Sequence, residues 1–356
     1  MNRHFIYPAP RAVQPVASDR SLEPNARFSR VAATAMALPG QNVTNQEIIA
    51  NHGHSVSASA MARIVGVSQR RVAPSGVTDS DLLLQAAERC LARAGMRPDD
   101  LTKILVTKFL GDRILPMTAC SLQKKLRCAT AVQAYDIDGG IHAFILALDA
   151  ANCFIATGDG PVLIASGGVI NRLVSREDPR VAFQYGDGAA AVLLVPSTDR
   201  HLLSSYSFTN YDYVNNAVGV AARSLVPRLD TPNIGFDSFF DLYEHDGGQT
   251  AKTFVLEAMK HTVTQLLDTA GKAWADVDLF LITETYHRLR LAIIERLGIE
   301  PHRTLSILSN YGNTMSAMLP MQLEEAIRVG AVGDGSLVML LSIGEGVSGG
   351  GSLLRL

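Results

Sequence analysis

Excess charge is the first thing this chain lacks. Its 32 Lys and Arg face 34 Asp and Glu for a net charge of −2, which excludes a general field that would draw it to nucleic acid or to an anionic membrane. Binding must therefore come from a local site. Cysteine is scarce as well: Cys90, Cys120, Cys128 and Cys153 all lie in the first half, and none shows a paired metal spacing such as Cys-Xaa-Xaa-Cys. That pattern predicts no metal site and a reduced, cytoplasmic setting. Long apolar runs are missing too. The longest, Pro161 to Ile170 and Ser336 to Ile343, are far too short to span a bilayer and read as buried strands. Met1 to Pro24 mixes Arg, Pro and Ser without the apolar core of a secretion signal. What remains is 356 residues with 47% hydrophobic and 19% charged content, enough to bury a large core.

Strand-like and helix-like segments alternate along the chain. A strand at Arg30 to Leu38 is followed by a helix near Asp79 to Ala94, a strand at Ile104 to Phe109, a helix near Ala119 to Leu126 and a strand at Val132 to Ile137. This order predicts an α/β fold. The second half repeats the first. Gly158-Asp159-Gly160 precedes one apolar strand and Gly333-Asp334-Gly335 precedes another, 175 residues later (334 − 159), and each pair follows a long helix, Ile141 to Ala156 or Met315 to Val329. Duplication of an α/β unit accounts for both the motif and its flanks. The expected divisions are an arm at 1–27, a first half at 28–203, an aromatic and Asn/Asp-rich insertion or cap at 204–248, and a second half at 249–356.

Asp136-Ile137-Asp138-Gly139-Gly140-Ile141-His142-Ala143-Phe144 falls at a strand-to-helix junction, where glycines permit a tight turn and a helix N-terminus offers unpaired N–H groups. Such a place suits a nucleophile or an anion. Around it lie Leu38-Pro39 with Thr44-Asn45-Gln46-Glu47-Ile48, then Gly66-Val67-Ser68-Gln69-Arg70-Arg71, Tyr185-Gly186-Asp187-Gly188-Ala189-Ala190-Ala191, Tyr311-Gly312-Asn313-Thr314 and the closing Gly344-Glu345-Gly346. In this order the motifs resemble β-ketoacyl-acyl-carrier-protein synthase III over roughly residues 28 to 356. The resemblance implies the thiolase fold, with duplicated halves stacked as an α-β-α-β-α sandwich, a dimer, and acyl-coenzyme A or acyl-carrier-protein thioesters as ligands. It implies no separate cofactor.

In that family a cysteine at the head of the central helix attacks the thioester, while a histidine and an asparagine stabilise the developing enolate. Counting from Asp136 and from Phe144 places the cysteine position at Ile141; counting from Asp278 and back from Asn313 places the family's His-Gln-Ala-Asn on Thr283-Glu284-Thr285-Tyr286. An alkyl group can neither attack nor ionise, so the usual covalent route is excluded at Ile141. Of the three catalytic positions only Asn313 matches. Thr283 could donate to a bound carbonyl, and His142 follows Ile141 directly, although consecutive helical side chains point about 100° apart. Glu284 and His287 read as solvated loop groups, Cys120 as a packing thiol at a helix start, and Gly186-Asp187-Gly188 as a turn leading into a strand. Arg70, Arg71 and Arg288 fall where relatives bring basic groups to coenzyme A or a carrier protein. The tryptophan that the resemblance implies before Gly66 has no counterpart among Ser55 to Ile64.

Two functional readings follow. In one, the chain is a non-condensing ketosynthase-like subunit that pairs with an active ketosynthase in a fatty-acid or polyketide pathway, as a heterodimer or alongside its own homodimer. In the other, it transfers, cyclises or condenses an acyl thioester without a covalent acyl-enzyme, using Asn313, Thr283, His142 and backbone N–H groups. The space around Ile141 separates them: an open channel favours catalysis, a filled one favours a silent subunit.

Overall fold

The computed structural model describes residues 28–113, 115–179, 181–210, 218–220, 240–242, 249–285, 287–344 and 347–356. The arm at 1–27 and most of the expected cap lie outside them. The elements run β1 (Phe28–Ala37), β2 (Gln41–Thr44), α1 (Asn45–His52), α2 (Ala58–Val65), β3 (Gln69–Val72), α3 (Asp79–Ala94), β4 (Lys103–Thr107), α4 (Thr118–Leu126), β5 (Gln133–Ile137), α5 (Ala143–Ala156), β6 (Val162–Gly168) and β7 (Gly188–Ser197). After these come β8 (Leu202–Thr209), β9 (Val218–Val220), β10 (Phe240–Leu242), α6 (Gln249–Ala270), β11 (Leu279–Ile282), α7 (His287–Leu297), α8 (Leu308–Tyr311), α9 (Met318–Arg328), β12 (Leu337–Gly344) and β13 (Ser348–Arg355).

Two mixed sheets carry the fold, one ordered β1-β7-β6-β4-β5 and the other β11-β12-β13-β8. Side-chain alternation along the strands explains the layering, because successive residues face opposite sides of a sheet. On β4, Leu105 turns inward while Ile104 and Val106 turn outward; on β11, Leu279 and Leu281 turn inward while Phe280 and Ile282 turn outward. The inward residues of both sheets pack on α5 (Phe144, Leu148, Ile155) and α9 (Leu319, Leu323) in one shared core. The outward residues of the first sheet pack on α3 and α4, and those of the second on α6 and α7. The result is the α-β-α-β-α sandwich expected from the duplicated pattern. Ser204–Thr209, expected as the beginning of an insertion, instead completes β8, whose pairing with β13 closes the second sheet.

The repeat is visible in the backbone. A single 3₁₀ turn, Gly140–His142, leads into α5, and another, Met315–Ala317, leads into α9, 175 positions on (315 − 140). Gly140 has φ 56° and Met315 has φ 55°, so the same left-handed corner opens both central helices. The halves are also tied by charge: buried Glu324 on α9 accepts from Thr34 on β1 at 2.5 Å and from Arg93 on α3 at 2.6 Å.

Candidate functional site

The strand-to-helix junction is built by local hydrogen bonding. Asp136, near the end of β5, accepts the Thr118 and Ala119 N–H groups at 3.0 and 2.8 Å, which fixes the start of α4, and Lys108 Nζ lies 3.5 Å from Oδ2, the oxygen that also accepts from Thr118. The chain then turns through Gly139 and Gly140 into the 3₁₀ turn. A Cβ at Gly139 would stand 2.8 Å from Leu146 Cδ1, and Gly140 takes the left-handed φ of 56° that glycine adopts without strain. Ile141 and His142 sit on this turn, 3% and 2% exposed.

Ile141 is met by residues of the second half of the chain. Gly344, at the end of β12, packs against it so closely that a Cβ there would lie 3.4 Å from Ile141 Cβ. One residue earlier, Ile343 exchanges hydrogen bonds with Thr283 past the end of β11: the Thr283 hydroxyl accepts the Ile343 N–H at 2.9 Å and donates to the Ile343 carbonyl at 3.3 Å. Asn313 lies between α8 and the 3₁₀ turn that opens α9. Its Oδ1 accepts the Met315 N–H at 2.8 Å, and its backbone bridges Tyr185, an approach that a side chain at Gly186 would block by overlapping the Tyr311 carbonyl. Met315 and Ile141 share an apolar cluster with Ile170, Val174, Val181 and Tyr185. Ile141 and Met315 thus pack together in hydrocarbon, with Asn313 bonded to the Met315 backbone and Thr283 bonded to Ile343, the residue before Gly344.

His142 leaves this cluster. Its Nε2 lies 3.0 Å from Ser207 Oγ on β8, whereas Nδ1 is buried without a partner. Burial pushes the imidazole down to about 4, so it is neutral at physiological pH. Turned toward β8, it anchors the start of α5 to the second sheet.

Glu284 requires a correction. It is fully buried, not solvated, and its carboxylate accepts from Ser306 Oγ (2.6 Å), Gln322 Nε2 (2.8 Å) and the Ile307 N–H (3.2 Å), with Arg290 Nε at 3.5 Å. These partners tie the end of β11 to α7 and α9. His287 instead packs on Gly66, whose φ of 85° ends α2. Tyr286 lies outside the described residues.

Of the basic residues, Arg70 is fully buried. Its guanidinium donates to Asn45 Oδ1 (2.6 Å), the Phe183 carbonyl (2.7 Å) and the Val43 carbonyl (3.1 Å), and burial, helped by Arg176, pulls it down to about 9. With no surface, it holds β3 to α1 and cannot reach a ligand phosphate, contrary to the reading from sequence. Arg71 is half-buried and donates to the Gly40 carbonyl at 3.1 Å, and Arg288 is exposed on the first turn of α7. Burial holds the Cys90 thiol up at about 12, which makes it inert. Among the described residues no three His, Cys, Asp or Glu side chains converge as a metal set, and no helix is long and apolar enough to cross a membrane.

Next to the Ile141 cluster is a recess lined by Asp79, Phe109, Gly168, Ile170, Thr314 and Met315, enclosing ≈ 10 Å³. That is about the space of one water molecule. Met315 is the residue of this site that sequence reading missed; the signal was available, because the repeat aligns it with Gly140.

Comparison with known proteins agrees with this architecture. The family model described as 3-oxoacyl-[acyl-carrier-protein (ACP)] synthase III matches residues 135–210, and its C-terminal companion matches residues 267–356. The 3-oxoacyl-[acyl-carrier-protein] synthase III of Aquifex aeolicus VF5 is 26% identical, with a TM-score of 0.81 over 92% of this chain and 100% of its own. The priming β-ketosynthase of the R1128 polyketide biosynthetic pathway is 22% identical, with a TM-score of 0.83 over 93% and 97%. A cerulenin-bound OleA from Xanthomonas campestris is 20% identical, with a TM-score of 0.79 over 92% and 97%, and at that identity it shares the fold. Matched by family models in both halves and by solved structures over nearly its whole length, the chain is a ketosynthase III-like protein of the thiolase fold.

Proposed function

We propose that this chain is a non-condensing, ketosynthase III-like subunit that works in the cytoplasm beside an active ketosynthase in a fatty-acid or polyketide-type pathway. The observation that carries the reading is Ile141: it stands at the head of the central helix, where the family resemblance puts the nucleophile, and it is 3% exposed in a packed apolar cluster. An alkyl carbon has no lone pair to attack a thioester and no proton to exchange, so no acyl-enzyme bond can form there. Thr283, at the position the resemblance gives to histidine, spends its hydroxyl on Ile343 and is not a general acid or base. Asn313 stays at its place, with Oδ1 committed to Met315.

Other features support a partner role. Among the described residues β5 is the edge strand of the first sheet, a place for a homodimer or for pairing with a related ketosynthase. Arg71 and Arg288 present the charge with which a carrier protein or the phosphates of coenzyme A would be met. The test is incubation of the purified chain with acyl-coenzyme A and acyl-carrier thioesters, alone and with co-purifying ketosynthases, following thiol release and intact mass. The expected result is no release and no adduct alone, with release restored or redirected by the partner. Release by the chain alone, without an adduct, would overturn the reading in favour of non-covalent acyl transfer by Asn313, Thr283 and backbone N–H groups.

A further inference from the structure

Met315 holds a backbone conformation that its side chain opposes. At φ 55° its Cβ meets the crowding that glycine escapes, and glycine is what occupies the matching corner in the first half, Gly140 at φ 56°. The conformation is imposed by the turn that opens α9; the choice of methionine is not. Its side chain is 3% exposed and has two surroundings: the apolar cluster that contains Ile141, and the wall of the recess. Ile170 also belongs to both, and Phe109, which lines the recess, packs against the cluster. On the other side, the recess reaches Leu110, which is 37% exposed, and so opens toward solvent. One polar atom on its wall is unsatisfied: the hydroxyl of Thr314, 3% exposed and without a hydrogen-bond partner. A buried hydroxyl of this kind marks a place where a ligand atom or a water would be bonded.

Resting on the reading proposed above, we infer that Met315 is the stopper of a channel for a linear acyl chain, running from the Leu110 rim past Thr314 toward Ile141. The walls are mostly hydrocarbon, from Phe109, Leu110, Val169 and Ile170, the glycines Gly167 and Gly168 give the floor no side chains, and the polar lining groups Asp79 and Ser316 are bonded to the Gly111 and Val169 N–H groups and to the Thr107 carbonyl. With methionine in place only ≈ 10 Å³ stays open, too little for a chain of methylenes. Ile141 removes the chemistry and Met315 removes the substrate, so the subunit would neither react with its partner's acyl thioester nor sequester it.

The test uses equilibrium binding of a fluorescent linear probe, 11-(dansylamino)undecanoic acid, to the full chain and to Met315→Gly and Met315→Ala. The glycine variant suits the left-handed corner, and the alanine variant shortens the side chain while keeping a Cβ. Met259→Ala, which opens space in the outer core of the second half, far from the recess in the packing, controls for uptake by any cavity. Both Met315 variants should bind at least about tenfold more tightly than the wild type, the gain from burying roughly two further methylenes, with displacement by unlabelled dodecanoate. The inference is overturned if folded Met315 variants bind no more tightly than the wild type, if Met259→Ala gains equally, or if neither Met315 variant folds. Its failure is separable from that of the proposed function, because this experiment measures binding without turnover, whereas the function fails on thiol release by the unmodified chain.

Discussion

Acid should loosen this protein through His142. The imidazole is 2% exposed, has Ser207 as its one hydrogen-bond partner among the described residues, and lies at the start of α5, where the helix dipole adds positive potential. Burial lowers it from the ordinary 6.5 to about 4. The sign follows from proton counting: between these values the unfolded chain binds a proton that the folded chain refuses, so stability is full above about pH 6.5 and falls as the pH drops toward 4. A difference of roughly 2.5 units at about 1.4 kcal/mol each comes to about 3.5 kcal/mol, most of it lost by about pH 4 and all of it a unit or so below. Buried Asp79 and Asp187 act in the opposite direction, since burial raises both and makes the folded form gain relative stability as the solution is acidified. The effect must therefore be read as a difference between variants. His142→Gln removes the titration while keeping a polar end for Ser207. Urea unfolding followed by circular dichroism at pH 7.5, 6.5, 5.5 and 4.5 should show the wild type losing about 2.5 kcal/mol more than His142→Gln across the series. Parallel curves for the two proteins would refute the reasoning, because they would mean that the buried ring is protonated as readily folded as unfolded.

Removing the Glu284 carboxylate should be costly, because it leaves Arg290, Ser306 and Gln322 facing a buried gap. Glu284→Ala is expected to lose about 3–5 kcal/mol in urea unfolding, and a loss below about 1 kcal/mol would show that the network does not hold β11 to α7 and α9. Ile141→Cys supplies a thiol but neither access nor a base. Incubated with octanoyl-coenzyme A, it should give no acyl adduct by intact mass, and a stoichiometric adduct would mean that the site is open without any change at Met315.

The alternation of strands and helices, and the 175-residue repeat, were legible because they are written in local periodicity and in glycine-marked turns that each half states for itself. The expectation that Ile141, Thr283 and Asn313 share one site came only through ordered motifs, since these residues lie far apart in the chain. Arg70 and Glu284 misled for a specific reason. A charged residue beside a turn is usually solvated, and what reverses that expectation is a complete set of partners: Asn45, Val43 and Phe183 for one, Ser306, Gln322 and Arg290 for the other. Each set is assembled within one half, from residues as far as 113 positions from Arg70 and 38 from Glu284, so local periodicity does not reveal it.

Met315 is a different case, because the repeat did contain the information. Aligning the halves at 175 residues sets it on Gly140, and a bulky residue on a corner that prefers glycine marks a place where packing has outweighed backbone preference. Internal duplication thus lets one half serve as the control for the other. At Gly140 the corner is left bare and the next residue, Ile141, turns into the cluster; at Met315 the corner itself carries the side chain that meets Ile141 there. Two side chains from opposite halves therefore close the same space. Restoring a nucleophile at one of them would leave the other still in the way, and for that reason activity should not return through a change at Ile141 alone.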